Sequence, residues 1–219
     1  MCTAQDVDVL TRTMPEVTRS RIRQLTVALG FASVVVVIDQ LTKRWALDRL
    51  IPGRCSDGPD NCIDLFLGLR LHLIFNPGAA FSTGAGLGPV FGVLAFVMTV
   101  VLIWIAGTRQ DRLSPVLFGA IAGGAAGNLI DRITRAEDGF LSGKVVDFVD
   151  LQWWPVFNFA DAAVVTGVVM LLATSVVESR AEAKLIAAQE ADAEVACGSK
   201  PGSSSVPGPS TESTDDPTG

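Results

Sequence analysis

The chain has 219 residues, of which 49% are hydrophobic and 18% are charged, with a mean hydropathy of +0.42 and a formal net charge of -6. A soluble domain of this composition would expose too much apolar surface, so a membrane protein is predicted. The acidic residues are concentrated after residue 177, and the remainder of the chain is close to neutral. Charge therefore gives no reason to expect a nucleic-acid or acidic-ligand partner.

Four apolar runs have about the 20 residues that a helix needs to cross a bilayer. They are predicted at about residues 22–45, 89–105, 114–133 and 157–177. The third run is rich in glycine and alanine, which allow a helix to pack closely against its neighbours. The predicted parts of the chain are an N-terminal extension over 1–21, a membrane domain over 22–178 and an acidic, largely disordered tail over 179–219.

The positions of lysine and arginine in the short flanks predict the orientation of the helices. Basic residues precede the first run, fill the connection between the second and third runs, and follow the fourth. Both termini are therefore predicted to be cytoplasmic. The two longer connections, at about residues 47–88 and 134–156, are then external, although they also contain basic residues.

Four aspartates lie inside or beside the apolar runs: Asp39, Asp131, Asp147 and Asp161. An ionisable group costs on the order of 2.5 to 3.5 kcal/mol at the centre of a membrane helix, so such residues usually mark function. For any one of them, a structural ion pair or interhelical hydrogen bond explains the residue equally well. The predicted topology brings all four toward the external face, which favours a shared site.

Polar partners at helical spacing accompany three of these aspartates. Residues three or four apart share one face of a helix. Asp39 and Lys43 have this spacing, as do Asn128 with both Asp131 and Arg132, and Asn158 with Asp161. Each of these carboxylates therefore has a cationic or amide neighbour.

The residue types that are missing narrow the possible chemistry. The sequence has a single histidine, His72, no tyrosine, no GxSxG serine and no GxxxxGK[ST] phosphate loop. The remaining catalytic tool is a pair of carboxylates, one holding a proton near neutral pH while the other takes a proton from water. Such a pair hydrolyses a peptide bond without a metal, a cofactor or a covalent intermediate. From the residues alone, Asp131 is as good a candidate for this pair as Asp147 or Asp161.

Two cysteines flank the sequence SDGPDN in the first external connection. Because that compartment is oxidising, Cys55 and Cys62 are predicted to form a small disulfide rather than a zinc site. Cys2 and Cys197 lie in the predicted cytoplasmic tails and belong to no motif.

Five short sequence motifs lie within the predicted membrane domain. They are DQLTK at 39–43, FNPGAAFS at 75–82, GGAAGNLIDR at 123–132, VVDF at 145–148 and FNFAD at 157–161. In sequence, order and topology they resemble the motifs of bacterial lipoprotein signal peptidase, or signal peptidase II, a family of aspartyl membrane peptidases. The resemblance covers about residues 25–177.

The resemblance implies an all-α membrane protein of four transmembrane helices, with a small external β-rich cradle and a short external amphipathic segment. It implies a monomeric enzyme of the bacterial plasma membrane, in contact with lipid, that uses no metal or cofactor. Its substrates would be diacylglyceryl-modified prolipoproteins, cut at the external face just before the lipidated cysteine.

The motifs carry over a catalytic pair, Asp147 of VVDF and Asp161 of FNFAD. The implied supporting or substrate-binding residues are Asp39, Lys43, Asn76, Gly78, Asn128, Asp131, Arg132 and Asn158.

Each supporting residue has an expected physical role. Asn76 is expected to bind the substrate backbone, and Arg132 either to hold a substrate carbonyl or to pair with Asp131. Asn128 and Asn158 are expected to orient the aspartates. The charged residues of DQLTK are expected to tie the first helix to the bundle.

Two rival interpretations make different predictions. A non-enzymatic four-span protein, such as a transporter subunit, would use the polar residues for packing or ion passage, but the internal repeats and paired broken helices of transporters are not found. A membrane peptidase of the GxGD type would carry that motif, which is absent around all four aspartates.

Overall fold

The computed structural model describes residues 4–52, 62–78, 87–137 and 139–198. Within these ranges it has four helices and three strands. In chain order they are α1 (Ala4–Arg49), β1 (Ile63–Asp64), β2 (Arg70–Asn76), α2 (Gly88–Ala106), α3 (Ser114–Thr134), β3 (Val145–Asp150) and α4 (Phe159–Gly198). The predicted fold of four membrane helices with a small β-rich part is confirmed. The short external amphipathic segment stays a prediction.

Each helix contains a segment that is long and apolar enough to cross a membrane. These segments are Thr18–Arg49, Gly88–Ala106, Ser114–Thr134 and Phe159–Glu190. Large apolar side chains are exposed along them, including Leu29, Phe96 and Leu172. Exposed residues of this kind are what a lipid-facing surface requires.

The first and last helices are longer than the predicted apolar runs. α1 begins at Ala4 and α4 continues to Gly198. The sequence over 178–198 is rich in alanine and glutamate, which favour a helix without forming a membrane-spanning apolar run. Met1–Thr174 forms one compact unit, and Ser175–Gly219 forms a second whose described part, up to Gly198, is helical. The predicted division of the chain after residues 21 and 178 stays a prediction.

The small residues of α3 bring the other helices close to its backbone. A Cβ atom added to Gly123 would lie 2.7 Å from the carbonyl oxygen of Ala32 on α1, and one added to Gly124 would lie 2.5 Å from that of Ala160 on α4. α3 is accordingly the most buried of the four spanning segments. The packing role predicted for its glycines agrees with these close approaches.

The three strands form an antiparallel sheet in the order β1-β2-β3, with an irregularity between Leu71 and Ile74. The first two strands come from the long connection after α1, and the third comes from the connection after α3. The sheet packs on the end of α1 through a cluster that consists of Ala46, Leu50, Leu73, Val146 and Phe148. Both long connections therefore meet at one end of the bundle, as the predicted topology requires.

The expected disulfide can be followed at one of its two cysteines. Cys62, which directly precedes β1, is disulfide-bonded. Cys55 lies outside the described residues, so its pairing with Cys62 stays a prediction.

Candidate active site

Asp147 is held on β3, an edge strand of the sheet. It lies on β3 opposite Ile74 of β2, and its side chain is buried. Asn76 Nδ2 donates to its Oδ2 at 3.0 Å, and Asn158 Nδ2 donates to its Oδ1 at 2.7 Å. Because Asn76 lies two residues after Ile74 on the same strand, its side chain is on the same face of the sheet as the Asp147 carboxylate.

Asp161 is fixed by the way in which α4 begins. Asn158 directly precedes Phe159, the first residue of the helix, and its Oδ1 accepts a hydrogen bond from the backbone N–H of Asp161 at 3.0 Å. In return, Oδ2 of Asp161 accepts one from the backbone N–H of Asn158 at 3.2 Å. This reciprocal arrangement is a capping box, in which two free N–H groups of the helix end are satisfied by side chains. The three-residue spacing in FNFAD therefore holds the Asp161 carboxylate at the start of the helix.

Two asparagine amides connect the carboxylates. Asn128 on α3 donates through Nδ2 to Oδ1 of Asp161 at 2.8 Å, and its Oδ1 accepts from Nδ2 of Asn158 at 3.1 Å. Asn158 is fully buried and also donates to Asp147. Among the described residues, no buried side-chain nitrogen or oxygen lacks a hydrogen-bond partner, so the orientation of both amides is determined by their neighbours.

The two carboxylates have unequal surroundings, which affects where a proton resides. Burial, followed by the negative charge of Asp161, raises the pKa of Asp147 from 3.8 to about 7. Hydrogen bonds from Asn76 and Asn158 and the charge of Lys43 act in the opposite direction. At neutral pH, Asp147 is therefore close to half-protonated and can serve as a proton donor.

Both carboxylates line one cavity of about 360 Å³, within the size range of small-molecule sites. The polar part of its wall is lined by Asn76, Gly78, Asn128, Arg132, Asp147 and Asp161. Aromatic and aliphatic side chains, among them Phe91, Trp154 and Val165, line the remainder. Such a cavity can bind a peptide backbone at its polar side and apolar side chains elsewhere.

Arg132 provides a positive charge in the wall of this cavity. Its side chain is buried, with Nη2 donating to the carbonyl oxygen of Gly78 at 2.9 Å and Nη1 donating to that of Gly143 at 3.4 Å. The guanidinium also lies over the ring of Phe91, 5.9 Å from its centroid. The guanidinium is thus held in place by backbone carbonyls rather than by a carboxylate.

Lys43 is the fully buried centre of an ionic cluster behind the cavity. Its ammonium group donates to Oδ2 of Asp39 and Oδ2 of Asp131, each at 2.9 Å, and to Oδ1 of Asn128 at 2.8 Å. An ammonium group has three N–H donors, so each donor has one acceptor. Asp131 is also paired with Arg135, at 3.3 Å. We call Lys43, Asp39, Asp131 and Arg135 the Lys43 cluster.

The carboxylates of the Lys43 cluster also hold the backbone around the cavity. Oδ1 of Asp39 accepts from the backbone N–H of Ala160 at 3.0 Å, in the first turn of α4. Oδ2 of Asp131 accepts from the backbone N–H of Val146 at 3.2 Å, next to Asp147 on β3. Each of these aspartates thus fixes the segment that carries one of the two cavity carboxylates.

The described residues contain no group of three or more histidine, cysteine, aspartate or glutamate side chains placed to bind a metal ion. The expectation that the chemistry uses no metal or cofactor stays a prediction.

Comparison with known proteins places these features in a family. The model of the signal peptidase (SPase) II family matches residues 31–177. The chain is 38% identical over 146 residues to a lipoprotein signal peptidase of Rhodococcus jostii, an alignment that covers 67% of this chain and 70% of that one. The chain belongs to the signal peptidase II family. It is also 36% identical over 154 residues to a lipoprotein signal peptidase of Mycobacterium leprae, covering 70% of this chain and 73% of that one.

Solved structures support the same fold. A bacterial membrane enzyme determined at 2.3 Å is similar with a TM-score of 0.59 and 23% identity, over 69% of this chain and 88% of that one. A second, determined at 1.9 Å, gives a TM-score of 0.55 and 24% identity over 67% of this chain and 90% of that one. With its four spanning helices, this signal peptidase II chain is a multi-pass bacterial membrane protein.

The predicted site residues of this signal peptidase II chain form two layers. The first layer lines the cavity and consists of Asn76, Gly78, Asn128, Arg132, Asp147 and Asp161. The second is buried behind it and consists of Asp39, Lys43, Asp131 and Asn158. Asp131, which the residues alone could not distinguish from the catalytic candidates, has its carboxylate occupied by two cations and a backbone N–H.

Two residues of the site were not predicted. Arg135 pairs with Asp131, a role considered for Arg132, and its spacing of four residues was a signal for that pair. Gln40 donates to Oδ2 of Asp39 and to the carbonyl oxygen of Gly127, both at 3.1 Å. Gln40 lies inside the DQLTK motif and three residues before Lys43, but no role was predicted for it from the sequence.

Proposed function

We propose that this protein is an aspartic endopeptidase that removes the signal peptides of diacylglyceryl-modified prolipoproteins, cutting just before the lipidated cysteine. The observation that carries the proposal is the pair of carboxylates, Asp147 and Asp161, which line one cavity and are joined through hydrogen bonds of Asn158 and Asn128. The substrate class is suggested by the relatives, which are named lipoprotein signal peptidases.

The proposed reaction begins with the dyad holding one proton, on Asp147, whose pKa is raised to about 7. The Asp161 carboxylate takes a proton from a water molecule as the water oxygen attacks the scissile carbonyl carbon. Asp147 gives its proton to the carbonyl oxygen, so that an uncharged tetrahedral diol forms. When the diol collapses, the C–N bond breaks, Asp161 protonates the leaving amine, and Asp147 recovers a proton from a hydroxyl of the diol.

The polar wall of the cavity is suited to align a peptide for this attack. Asn76 is held from both sides, since its Oδ1 accepts from the backbone N–H of Gly78 at 3.1 Å while its Nδ2 donates to Asp147. Arg132 presents a guanidinium to the same space. We propose that these two residues bind the carbonyl groups that flank the cut bond, which places the reacting carbon within reach of both carboxylates.

The cavity is proposed to open at the external face of the plasma membrane, with both termini cytoplasmic. The support is the distribution of basic residues between the two ends of the bundle. The basic start of the α1 span meets the connection between α2 and α3, where Gln24 Nε2 donates to the carbonyl oxygen of Asp111 at 3.4 Å. Arg109 and Arg112 lie in that connection, whereas the sheet and cavity lie at the other end of the helices.

The test is cleavage of a defined prolipoprotein by the purified protein in detergent or lipid. A diacylglyceryl-modified prolipoprotein is expected to be cut just before its lipidated cysteine, which mass spectrometry of both products establishes. The unlipidated form is expected to be a much poorer substrate, because each buried methylene of the acyl chains contributes about 0.8 kcal/mol. Equal rates for the two forms would contradict the proposed substrate class, and cleavage of neither would contradict the proposed function.

The raised pKa of Asp147 predicts the pH dependence of this reaction. The reactive dyad holds one proton, so kcat/KM should fall as pH rises through about 7, where Asp147 loses that proton. The hydrogen bond from Asn76 stabilises the charged form, and its removal should raise the pKa of Asp147 further. Asn76→Ala is therefore expected to move the alkaline limb of the pH profile to higher pH, besides lowering the rate. A limb that stays in place or moves to lower pH would show that it reports another group.

A further inference from the structure

A second cavity adjoins the first along the opening turns of α4. It is a groove of about 350 Å³, which we call the α4 groove. Of the α4 residues, Asp161 and Val165 line both the cavity and the groove, whereas Ala162 and Thr166 line only the groove; Trp154 and Phe157 also line both. Because residues four apart share one face of a helix, Asp161 and Val165 form a ridge of α4 that borders both spaces.

The lining of the α4 groove differs in chemistry from that of the cavity. Among its described lining residues, Asp161 on the ridge is the only charged one. Apart from the indole N–H groups of the two tryptophans, the hydroxyl of Thr166 is the only other polar side-chain group among these described residues. The remaining surface is formed by apolar and aromatic side chains, namely Leu151, Trp153, Trp154, Phe157, Ala162 and Val165. The groove therefore suits an apolar ligand whose polar end lies near Asp161.

The α4 groove is continuous with the surface that a bilayer covers. Val165 is 58% exposed, and the exposed side chains of Val168, Val169 and Leu172 continue the apolar surface along the membrane-spanning part of α4. At the other end of the groove, Trp153 is 78% exposed. Exposed tryptophan is typical of the headgroup level of a membrane. One end of the groove is therefore expected at headgroup level, and the other end is expected to open toward the hydrocarbon region.

On the basis of the function proposed above, we propose that the α4 groove binds an acyl chain of the substrate's diacylglyceryl group while the peptide occupies the polar cavity. The diacylglyceryl group is attached to the cysteine that follows the cut bond. Its acyl chain must therefore leave the active site within one residue of the reacting carbonyl. The ridge at Asp161 is the place where peptide and lipid can separate over so short a distance, because the same residue lines both spaces.

The groove can be filled without changing the cavity. Thr166 is exposed and lines the groove alone, so Thr166→Trp should occupy the groove while the helix remains folded. Cleavage is measured on two synthetic lipopeptides with the same sequence, one carrying dipalmitoylglyceryl and the other dibutanoylglyceryl. The ratio of kcat/KM between the long-chain and short-chain substrates is expected to fall at least about tenfold, as when about two methylene groups are no longer buried.

A matched control separates the groove from the rest of the lipid-facing surface. Val169→Trp places the same side chain one turn beyond Val165, at an exposed position that lines neither space, and should keep the wild-type ratio. Ala162→Leu fills the groove from its helix face and should lower the ratio as Thr166→Trp does. A wild-type ratio in both groove variants, or an equal loss on both substrates, would overturn the assignment of the groove. Failure of the wild-type protein to cut either lipopeptide would instead overturn the proposed function and the groove with it.

Discussion

Replacing either Asp147 or Asp161 with asparagine is expected to abolish cleavage, with a loss of at least roughly a thousandfold for each single variant. Each substitution removes one of the two carboxyl groups between which protons move, and the members of such a pair cannot substitute for each other. The double variant should therefore be no less active than either single variant. The measurement is prolipoprotein cleavage at matched amounts of folded, membrane-inserted protein.

Both variants are expected to fold. Asparagine retains the shape of aspartate, and the main change is that an NH₂ group meets a former donor, such as Nδ2 of Asn158 beside Asp147. An unsatisfied donor of this kind costs about 1–3 kcal/mol, less than the usual 5–15 kcal/mol of total stability. Retained mobility in size-exclusion chromatography would establish that lost cleavage reflects lost chemistry.

Asp150→Asn is the matched control for the strand that carries Asp147. Asp150 is also buried on β3, but its carboxylate accepts from the backbone N–H of Gln152 at 2.7 Å and does not line the cavity. Its asparagine variant should retain cleavage. An Asp147→Asn variant with near-normal turnover would contradict the proposed dyad and would return Asp131 to consideration as the second carboxylate.

The membrane part of the fold could be predicted because its physical cause is local. A bilayer requires about 20 apolar residues for each helix, and the four runs in the sequence agree with the four spanning segments. The ends of the helices were not predictable from hydropathy. Helix propensity continues where apolarity stops, so α1 already begins at Ala4 and α4 extends to Gly198.

The convergence of the aspartates followed from topology, but their separate roles did not. Spacing predicted the contacts within a helix, such as Asp39 with Lys43, and these contacts are present. The donors that Asp131 accepts from and the environment of Asp147 depend on how β3 pairs with β2 and how the helices are rotated. These are contacts between distant segments, which a single sequence does not encode locally. The motif resemblance favours Asp147 and Asp161 over Asp131 as the catalytic pair, and in the structure Asp131 is paired with two cations and a backbone N–H.

Lys43 makes contacts with α3 that helical spacing within α1 could not predict. The sequence predicted an ion pair with Asp39 that ties α1 to the bundle. In the structure, two of the three acceptors of the ammonium group belong to α3, namely Asp131 and Asn128. The donation to Oδ1 of Asn128 turns the Nδ2 group of that amide toward Asp161. Lys43 is therefore placed to orient the active-site amide in addition to holding two helices together.

Lys43→Met is accordingly expected to lower both stability and turnover. The substitution approximately retains the volume of the side chain but leaves the buried carboxylate of Asp39 without a cation. Removing one partner from a buried ion pair costs about 3–5 kcal/mol, which is a large part of the stability of a typical protein. Thermal unfolding in detergent should show a clear decrease in Tm. Arg44→Met removes a cation from the adjacent, exposed position of the same helix and should change Tm little.

A compensated variant separates the stabilising role of Lys43 from its orienting role. In Asp39→Asn, Lys43→Met, Asp131→Asn, the three fully buried charges of the Lys43 cluster are removed together, and such replacements are often neutral for stability. The triple variant should therefore unfold at a higher temperature than Lys43→Met alone. Its turnover should stay low, because Oδ1 of Asn128 then keeps only the hydrogen bond from Nδ2 of Asn158, and the amide is held less firmly in the orientation that donates to Asp161. If turnover recovered together with Tm, the role of Lys43 would be limited to stability. If Lys43→Met kept both wild-type Tm and wild-type turnover, neither role would hold.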